Sequence, residues 1–134
     1  MLTAQASTSN ATPAITGYRC ESVGETAGFL GDIVRVYLEW HAPDQGPGSI
    51  IAKFPTLRPA NLATGKGLLA YERELTFYDA FSTQCPLQPP RFYGGVDVTG
   101  QGDYLILIED LMGARFVSQL DGLSIADAAL TVRG

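Results

Sequence analysis

The chain has 134 residues, of which 46% are hydrophobic and 17% are charged, and its formal net charge is −5. This length fits one domain built around one hydrophobic core. The acidic balance argues against binding to a nucleic-acid backbone, which requires a basic surface. No segment approaches the roughly 20 consecutive apolar residues of a membrane-spanning helix. We therefore predict neither a nucleic-acid partner nor a membrane partner.

Residues that commonly bind metals are scarce. The one histidine, His41, rules out a zinc site built on paired histidines, and Cys20 and Cys85 cannot complete a four-cysteine site. We expect two free thiols, because the chain lacks the cysteine density of a secreted scaffold. Residues 1–14 lack the basic start and apolar run of a signal peptide, so they are interpreted as an N-terminal arm. The predicted location is the cytoplasm.

The first half of the chain is predicted to be mainly β. Residues 18–23 form a short β-like stretch, and residues 32–40, DIVRVYLEW, alternate so that one face is wholly apolar, which is typical of a strand. The turn-forming segment APDQGPG precedes SIIAKFP at residues 49–55, which should pair back as a hairpin. Residues 56–66 are predicted to be a polar connection.

The second half is predicted to contain both helix and strand. Between residues 68 and 81 the apolar spacing becomes helical, and the prolines of PLQPP end that helix. The segments RFYGGVDV and DYLILIED are predicted strands, separated by the turn TGQG. Ser124 is a plausible N-cap, with Asp127 three residues later, for a helix that begins at Ile125. Together these elements predict an α+β fold with a five-stranded, mainly antiparallel sheet and one packed helix.

Lys53 and Glu74 are charged residues in apolar surroundings. Lys53 lies within the apolar strand at residues 50–54, where an unpaired charge is costly to bury. Glu74 shares a helical face with Tyr71, Leu75 and Tyr78. An ion pair between the strand and the helix would satisfy both charges. Two alternatives remain, namely that Lys53 reaches solvent from an edge strand and that Glu74 is solvated at the margin of its face.

Two further segments could contact a ligand through their backbone. The loop between the first two strands contains Gly24, Gly28 and Gly31. Backbone N–H groups of glycine-rich loops can bind phosphates. The apolar run 104–108 ends in Glu109-Asp110-Leu111, where free backbone groups could read a planar ligand such as adenine. The alternatives are an ordinary hairpin loop and an ordinary strand end.

The glycine loop, the strand lysine, the helix glutamate and the strand end at residues 109–111 occur in the same order as in the small lobe of protein kinases. More closely, the sequence resembles the aminoglycoside phosphotransferase and ecdysteroid kinase-like branch of that fold. The resemblance covers residues 15–134, with 15–111 as the nucleotide-binding N-terminal lobe and 112–134 as a connector and the start of the first helix of the C-terminal lobe. The segments that carry it are GFLGDIVRVYLEW, SIIAKFP, YERELTFYDAF, PPRFYGG and YLILIEDL.

The resemblance implies an ATP-dependent phosphotransferase that acts on a small-molecule hydroxyl, with ATP and Mg²⁺ as cofactors. Lys53 would contact the α- and β-phosphates, and Glu74 would hold Lys53 in place. The Glu109 carbonyl and the Leu111 N–H would bind the adenine edge. The other pocket residues would be Gly28, Phe29 and Gly31 over the phosphates, Ile33 over the base, Ile51 on the same side as Lys53, and Ile108 guarding the space behind the base.

The family also needs a second lobe, which supplies a catalytic aspartate in an H-x-D loop, a following asparagine and a metal-binding aspartate. The only histidine is followed by Ala42-Pro43 in a turn, so we expect no catalytic residue and no metal ligand within these 134 residues. The Mg²⁺ ligands and the acceptor site would lie in the missing lobe, and the chain alone would be inactive. The alternatives are a nucleotide-binding module without catalysis and an α+β interaction domain. The exposed lobe face should favour self-association.

Overall fold

A five-stranded antiparallel sheet forms the framework of the protein. The computed structural model describes residues 14–23, 30–114, 117 and 121–133. The sheet has the order β1-β2-β3-β5-β4, and every neighbouring pair is antiparallel. Its strands are β1 (Ile15–Ser22), β2 (Gly31–Trp40), β3 (Ser49–Pro55), β4 (Phe92–Asp97) and β5 (Tyr104–Glu109). The predicted α+β class and five-stranded sheet are therefore confirmed.

The strand register decides which side chains share a face of the sheet. Lys53 is paired with Ile33 on one side and with Ile106 on the other. Two residues earlier in β3, Ile51 is paired in the same way with Arg35 and Ile108. Because side chains alternate along a strand, these two rows lie on the same side of the sheet. We call this side the pocket face; its defining residues are Ile33, Arg35, Ile51, Lys53, Ile106 and Ile108.

The helical content exceeds the single packed helix that the sequence predicts. Residues Pro59–Gly67 form α1, where a polar connection was expected. The proline at the start of α1 has a fixed φ that suits the first helical turn. The segment PANLATGKG has Leu62 as its only large apolar side chain, so no apolar periodicity marks it as a helix.

The helix predicted over residues 68–81 is shorter and changes its winding. Leu69 has a positive φ of 52°, and α2 covers Ala70–Thr76. A π-helical turn, Phe77–Phe81, and a short 3₁₀ turn, Ser82–Gln84, continue it. A π turn holds more residues than an α turn and rotates later side chains around the axis. Phe81, expected on the buried face, is accordingly 56% exposed.

The last helix, α3, covers Ile125–Arg133 and begins where the sequence predicts. Ser124 caps it: its Oγ accepts a hydrogen bond from the Asp127 backbone N–H at 3.1 Å and donates to Asp127 Oδ2 at 2.8 Å. Within the part of the chain that the structure describes, no helix is both long and apolar enough to cross a membrane. Cys20 and Cys85 are free thiols.

Candidate functional site

A pocket of about 240 Å³ opens between the pocket face of the sheet and α2. We call it the Lys53 pocket. Its polar groups include the charged side chains of Lys53 and Glu74, and much of the remaining wall is apolar. The lining residues are Leu30, Gly31, Ile33, Lys53, Phe54, Ala70, Tyr71, Glu74, Tyr104 and Ile106.

Lys53 and Glu74 form an ion pair through Lys53 Nζ and Glu74 Oε1. The side chains are 29% and 33% exposed, so the pair lies at the pocket wall rather than in the core. β3 runs between β2 and β5, so the alternative of an edge-strand lysine is wrong. An ammonium group has three donors. The pairing with Glu74 therefore leaves Lys53 able to donate to an anion in the pocket.

Tyr71 lines the Lys53 pocket and is one of the few buried apolar side chains among the residues that the structure describes. Its hydroxyl donates to the Leu30 carbonyl at 2.5 Å, and the Thr56 N–H donates to the same carbonyl at 3.2 Å. Burial raises the pKa of Tyr71, which keeps the hydroxyl a neutral donor. The helix that carries Glu74 is thereby attached to the residue that leads into β2.

A second, more open pocket of about 430 Å³ lies at the other end of the pocket face. We call it the connector pocket, because it includes the segment that follows β5. Its lining residues are Tyr37, Pro47, Gly48, Ser49, Tyr93, Glu109, Asp110 and Met112.

The Asp110 carboxylate in the connector pocket is buried and held by several hydrogen bonds. Its side chain is 3% exposed, and Arg35 binds it in a two-point contact, with Nε to Oδ2 at 2.6 Å and Nη2 to Oδ1 at 3.2 Å. Ser49 Oγ donates to Oδ2 at 2.7 Å. Burial alone would raise the pKa of Asp110, but these hydrogen bonds outweigh it and lower the pKa below its ordinary value. The hydrogen bond with Asp110 raises the pKa of Arg35.

Sequence reasoning missed this cluster. Arg35 and Ser49 belong to strands that were predicted, and Asp110 was noted only as the middle residue of an acidic strand end. The available signal was Arg35, a charged residue between Ile33 and Tyr37 on one face of β2. Its partner could not be identified, because the pairing of β3 with β5 brings Asp110 close and no local pattern predicts that pairing.

The structure brings four of the predicted ligand-binding residues into the Lys53 pocket, namely Gly31, Ile33, Lys53 and Glu74. The other described ones lie further along the pocket face and in the connector. Ile51 and Ile108 are paired directly with each other in the next row. Glu109 lines the connector pocket, and Leu111 follows in the exposed connector. Gly28 and Phe29 lie outside the described residues.

Neither pocket brings together the ligands of a metal ion. Among the residues that the structure describes, no group of three or more His, Cys, Asp or Glu side chains has an arrangement that could hold one. The Lys53 pocket presents an ammonium group, paired with a carboxylate, beside largely apolar walls. Such a site can bind and orient an anion attached to an apolar or aromatic body.

Comparisons with protein-family models, with curated proteins and with solved structures gave no match to this chain.

Proposed function

We propose that this chain is the nucleotide-binding lobe of an ATP-dependent phosphotransferase that acts on the hydroxyl of a small molecule. The Lys53–Glu74 ion pair carries the proposal. In enzymes of the protein-kinase type, a lysine on the third strand contacts the α- and β-phosphates of ATP, and a glutamate on the following helix holds that lysine. Lys53 lies on β3 and Glu74 on α2, in the order that this chemistry requires.

The dimensions of the pocket face also support nucleotide binding. Lys53 and Ser49 are four residues apart on β3, which corresponds to about 13 Å along a strand. This distance suits a nucleotide whose phosphates lie at Lys53 and whose base lies toward the connector. In this orientation, Ile33, Ile51 and Ile108 would contact the base, and the backbone of Glu109 and Leu111 would bind its edge.

The proposed role of the chain is to bind and orient ATP. Phosphoryl transfer depends chiefly on positioning and on stabilising the charge of the phosphates. Lys53 would supply positive charge to the α- and β-phosphates, and Glu74 would keep the ammonium group in place. When bound, Mg²⁺ would neutralise charge on the β- and γ-phosphates. In this proposal, a second lobe supplies the Mg²⁺ ligands and the hydroxyl acceptor site.

The first test is direct binding of ATP to the chain by calorimetry. The Lys53→Ala variant should weaken binding by about tenfold or more, because it removes a charged contact to phosphate. Lys66→Ala is a matched control, since Lys66 is the only other lysine and pairs with Asp103 outside the Lys53 pocket. Failure of the unaltered chain to bind ATP would contradict the proposal, as would equal losses in the two variants.

The transferase part of the proposal has its own test. The reading frame that encodes this chain should continue beyond residue 134 into an H-x-D-x-x-x-x-N segment and a later aspartate. A frame that continues without these residues, combined with ATP binding by the chain, would indicate a nucleotide-binding module without catalysis.

A second candidate function is a dimerising module. One observation favours it: α3 exposes large apolar side chains, with Ile125 91% and Val132 86% exposed. Exposed apolar surface of this kind is typical of a protein interface. This function requires no nucleotide, so the binding experiment distinguishes it from the first.

A further inference from the structure

We propose that Asp110 is a positioning residue that fixes the connector after β5 for recognition of the nucleotide base. The inference rests on the proposed function and extends it, since it assigns base selectivity to a side chain that does not itself contact the base. The residues involved are Arg35 and Ser49, which hold the carboxylate, and Glu109 and Leu111, whose backbone would bind the base edge.

The carboxylate of Asp110 is held from two strands. Arg35 lies on β2 and contacts both of its oxygens, while Ser49 lies at the start of β3 and donates to one of them. A two-point guanidinium–carboxylate contact fixes orientation as well as distance. Because the side chain is almost fully buried, it cannot rotate away without breaking these contacts. The backbone of residue 110 is therefore tied to the sheet.

The backbone on either side of Asp110 is also constrained. The Glu109 N–H donates to the Arg91 carbonyl at 2.8 Å, and the Arg91 N–H donates to Glu109 Oε2 at 3.1 Å. The Leu111 carbonyl accepts from the Ala114 N–H at 2.9 Å. The hydrogen bonds formed among the described residues leave the Leu111 N–H unused. The Leu111 N–H is thus a fixed donor beside the connector pocket, and it is suited to forming a hydrogen bond with the edge of a ligand.

This arrangement would select adenine over guanine. The edge of adenine presents an acceptor nitrogen and an amino donor, which match an N–H and a carbonyl on the protein. Guanine presents a carbonyl oxygen and an N–H at the corresponding positions, so both contacts become mismatched. A site with fixed polar groups rejects such a ligand strongly, because its own groups are left unpaired.

The type of interaction supports a role in specificity. Taking an ion pair out of water costs free energy that its attraction only partly repays, so such a pair contributes little to net stability compared with apolar packing. The Arg35–Asp110 pair does fix the relative position of β2 and the connector. At the end of β5 that geometry sets the direction of the connector.

The test compares the unaltered chain with Asp110→Asn and Arg35→Lys for binding of ATP, GTP and inorganic tripolyphosphate. Asp110→Asn removes the charge while keeping the shape, and Arg35→Lys keeps the charge but loses the two-point contact. Both variants should weaken ATP binding by about tenfold, the equivalent of one lost hydrogen bond. Binding of tripolyphosphate, which has no base, should weaken by less than about twofold. The ratio of the affinity for ATP to the affinity for GTP should decrease.

Asp103→Asn is the matched control, because Asp103 also pairs with a cation, Lys66, but outside both the Lys53 pocket and the connector pocket. It should leave all three affinities unchanged. Thermal unfolding of each variant shows whether it is folded. If Asp110→Asn is unfolded, Ser49→Ala tests the same prediction, because it removes the Ser49 contacts to Asp110 and Met112 and keeps the ion pair with Arg35.

The outcomes separate this inference from the proposed function. Equal weakening of ATP and tripolyphosphate would show a merely structural role for Asp110 and overturn the inference, as would unchanged ATP binding in both variants. If the unaltered chain binds neither ATP nor tripolyphosphate, the proposed function and the inference both fail. Binding of ATP and GTP with equal affinity by the unaltered chain would overturn the inference alone.

Discussion

Lys53 of β3 and Glu74 of α2 are 21 positions apart in the chain and are joined by an ion pair at the wall of the Lys53 pocket. Both side chains are about one-third exposed, so the pair contributes little to stability. Its main effect is to direct an ammonium group into a pocket whose other walls are largely apolar. In the proposed function, this pair therefore matters more for nucleotide binding than for folding.

The first prediction exchanges the two charges of this pair. The single variant Lys53→Glu places two carboxylates together and should lower the melting temperature. The double variant Lys53→Glu/Glu74→Lys restores an ion pair, so it should recover stability to within about 1 kcal/mol. It presents a carboxylate where phosphate would bind, so ATP binding should remain lost. Calorimetry and thermal unfolding check the two parts separately.

Recovery of ATP binding in the double variant would contradict the assignment of phosphate contact to Lys53. The same exchange in the exposed pair Lys66–Asp103 is the control. It should leave ATP binding unchanged, although it also removes the hydrogen bond from Thr99 to the Asp103 carboxylate.

The second prediction concerns Gly65 of α1, which packs against the ring of Tyr71. A Cβ atom at this position would overlap the Tyr71 hydroxyl and ring, and both Gly65 and Tyr71 are buried. Gly65→Ala should therefore destabilise the protein by about 1–3 kcal/mol. Gly67→Ala is the control, because a Cβ there meets no atom within 4 Å. It should be neutral or stabilising by up to about 1 kcal/mol in urea unfolding.

The third prediction concerns the pH dependence of the β4–β5 turn. Backbone N–H groups of Gly102, Asp103, Gly100 and Thr99 donate to the Asp97 carboxylate and lower its pKa. Because the folded-state pKa is depressed, the stabilisation is complete above the pKa of the unfolded chain and is lost as the pH falls through the folded-state pKa. Asp97→Asn should be less stable at neutral pH and should lose less stability on acidification.

Melting temperatures measured from neutral pH to about pH 3 test this expectation. Asp44→Asn makes the same change of charge in the β2–β3 turn and serves as the control. Parallel stability curves for the unaltered chain and Asp97→Asn would show that the loop does not carry the acid dependence.

The fourth prediction concerns the core beneath the Lys53 pocket. Ile106 is 2% exposed and lies beside Lys53 in the sheet. Ile106→Ala should cost about 2–5 kcal/mol through lost burial and the cavity left behind. Leu57→Ala, at a largely exposed position, should change stability by less than about 0.5 kcal/mol. Similar costs for the two variants in urea unfolding would show that Ile106 is not part of the core.

The fifth prediction is self-association through α3. The helix exposes Ile125, Leu130 and Val132, and burial of such side chains favours association. Light scattering should show a mass that rises with protein concentration, and Ile125→Ser/Val132→Ser should reduce that rise. A concentration-independent monomer would contradict the prediction.

The sequence predicted the strands well because their signals are local. Alternation in β2 and the hairpin to β3 follow from short-range patterns and turn residues, and the cap at Ser124 fixed the start of α3. The charges of Lys53 and Glu74 indicated a pair because each stood in apolar surroundings. In each case the deciding information lay within a few residues.

The missed features leave no recognisable pattern in the sequence. α1 has almost no apolar periodicity, and its Gly65 is explained only by the ring of Tyr71 above it. The π turn after Thr76 changes which side chains face the sheet, and no propensity rule predicts it. Asp110 meets Arg35 only because β5 joins β3 in the sheet.

The strand order also determines how the two pockets come into being during folding. β1, β2 and β3 are joined by consecutive antiparallel pairings, and β4 and β5 form a second unit of this kind. The pairing of β3 with β5 joins these two units and closes a long loop. Of the strand pairings, this one has the largest entropic cost of loop closure. Lys53 and Ile106 face each other in this pairing, as do Ile51 and Ile108. The Lys53 pocket and the connector pocket are therefore complete only when these two units have come together.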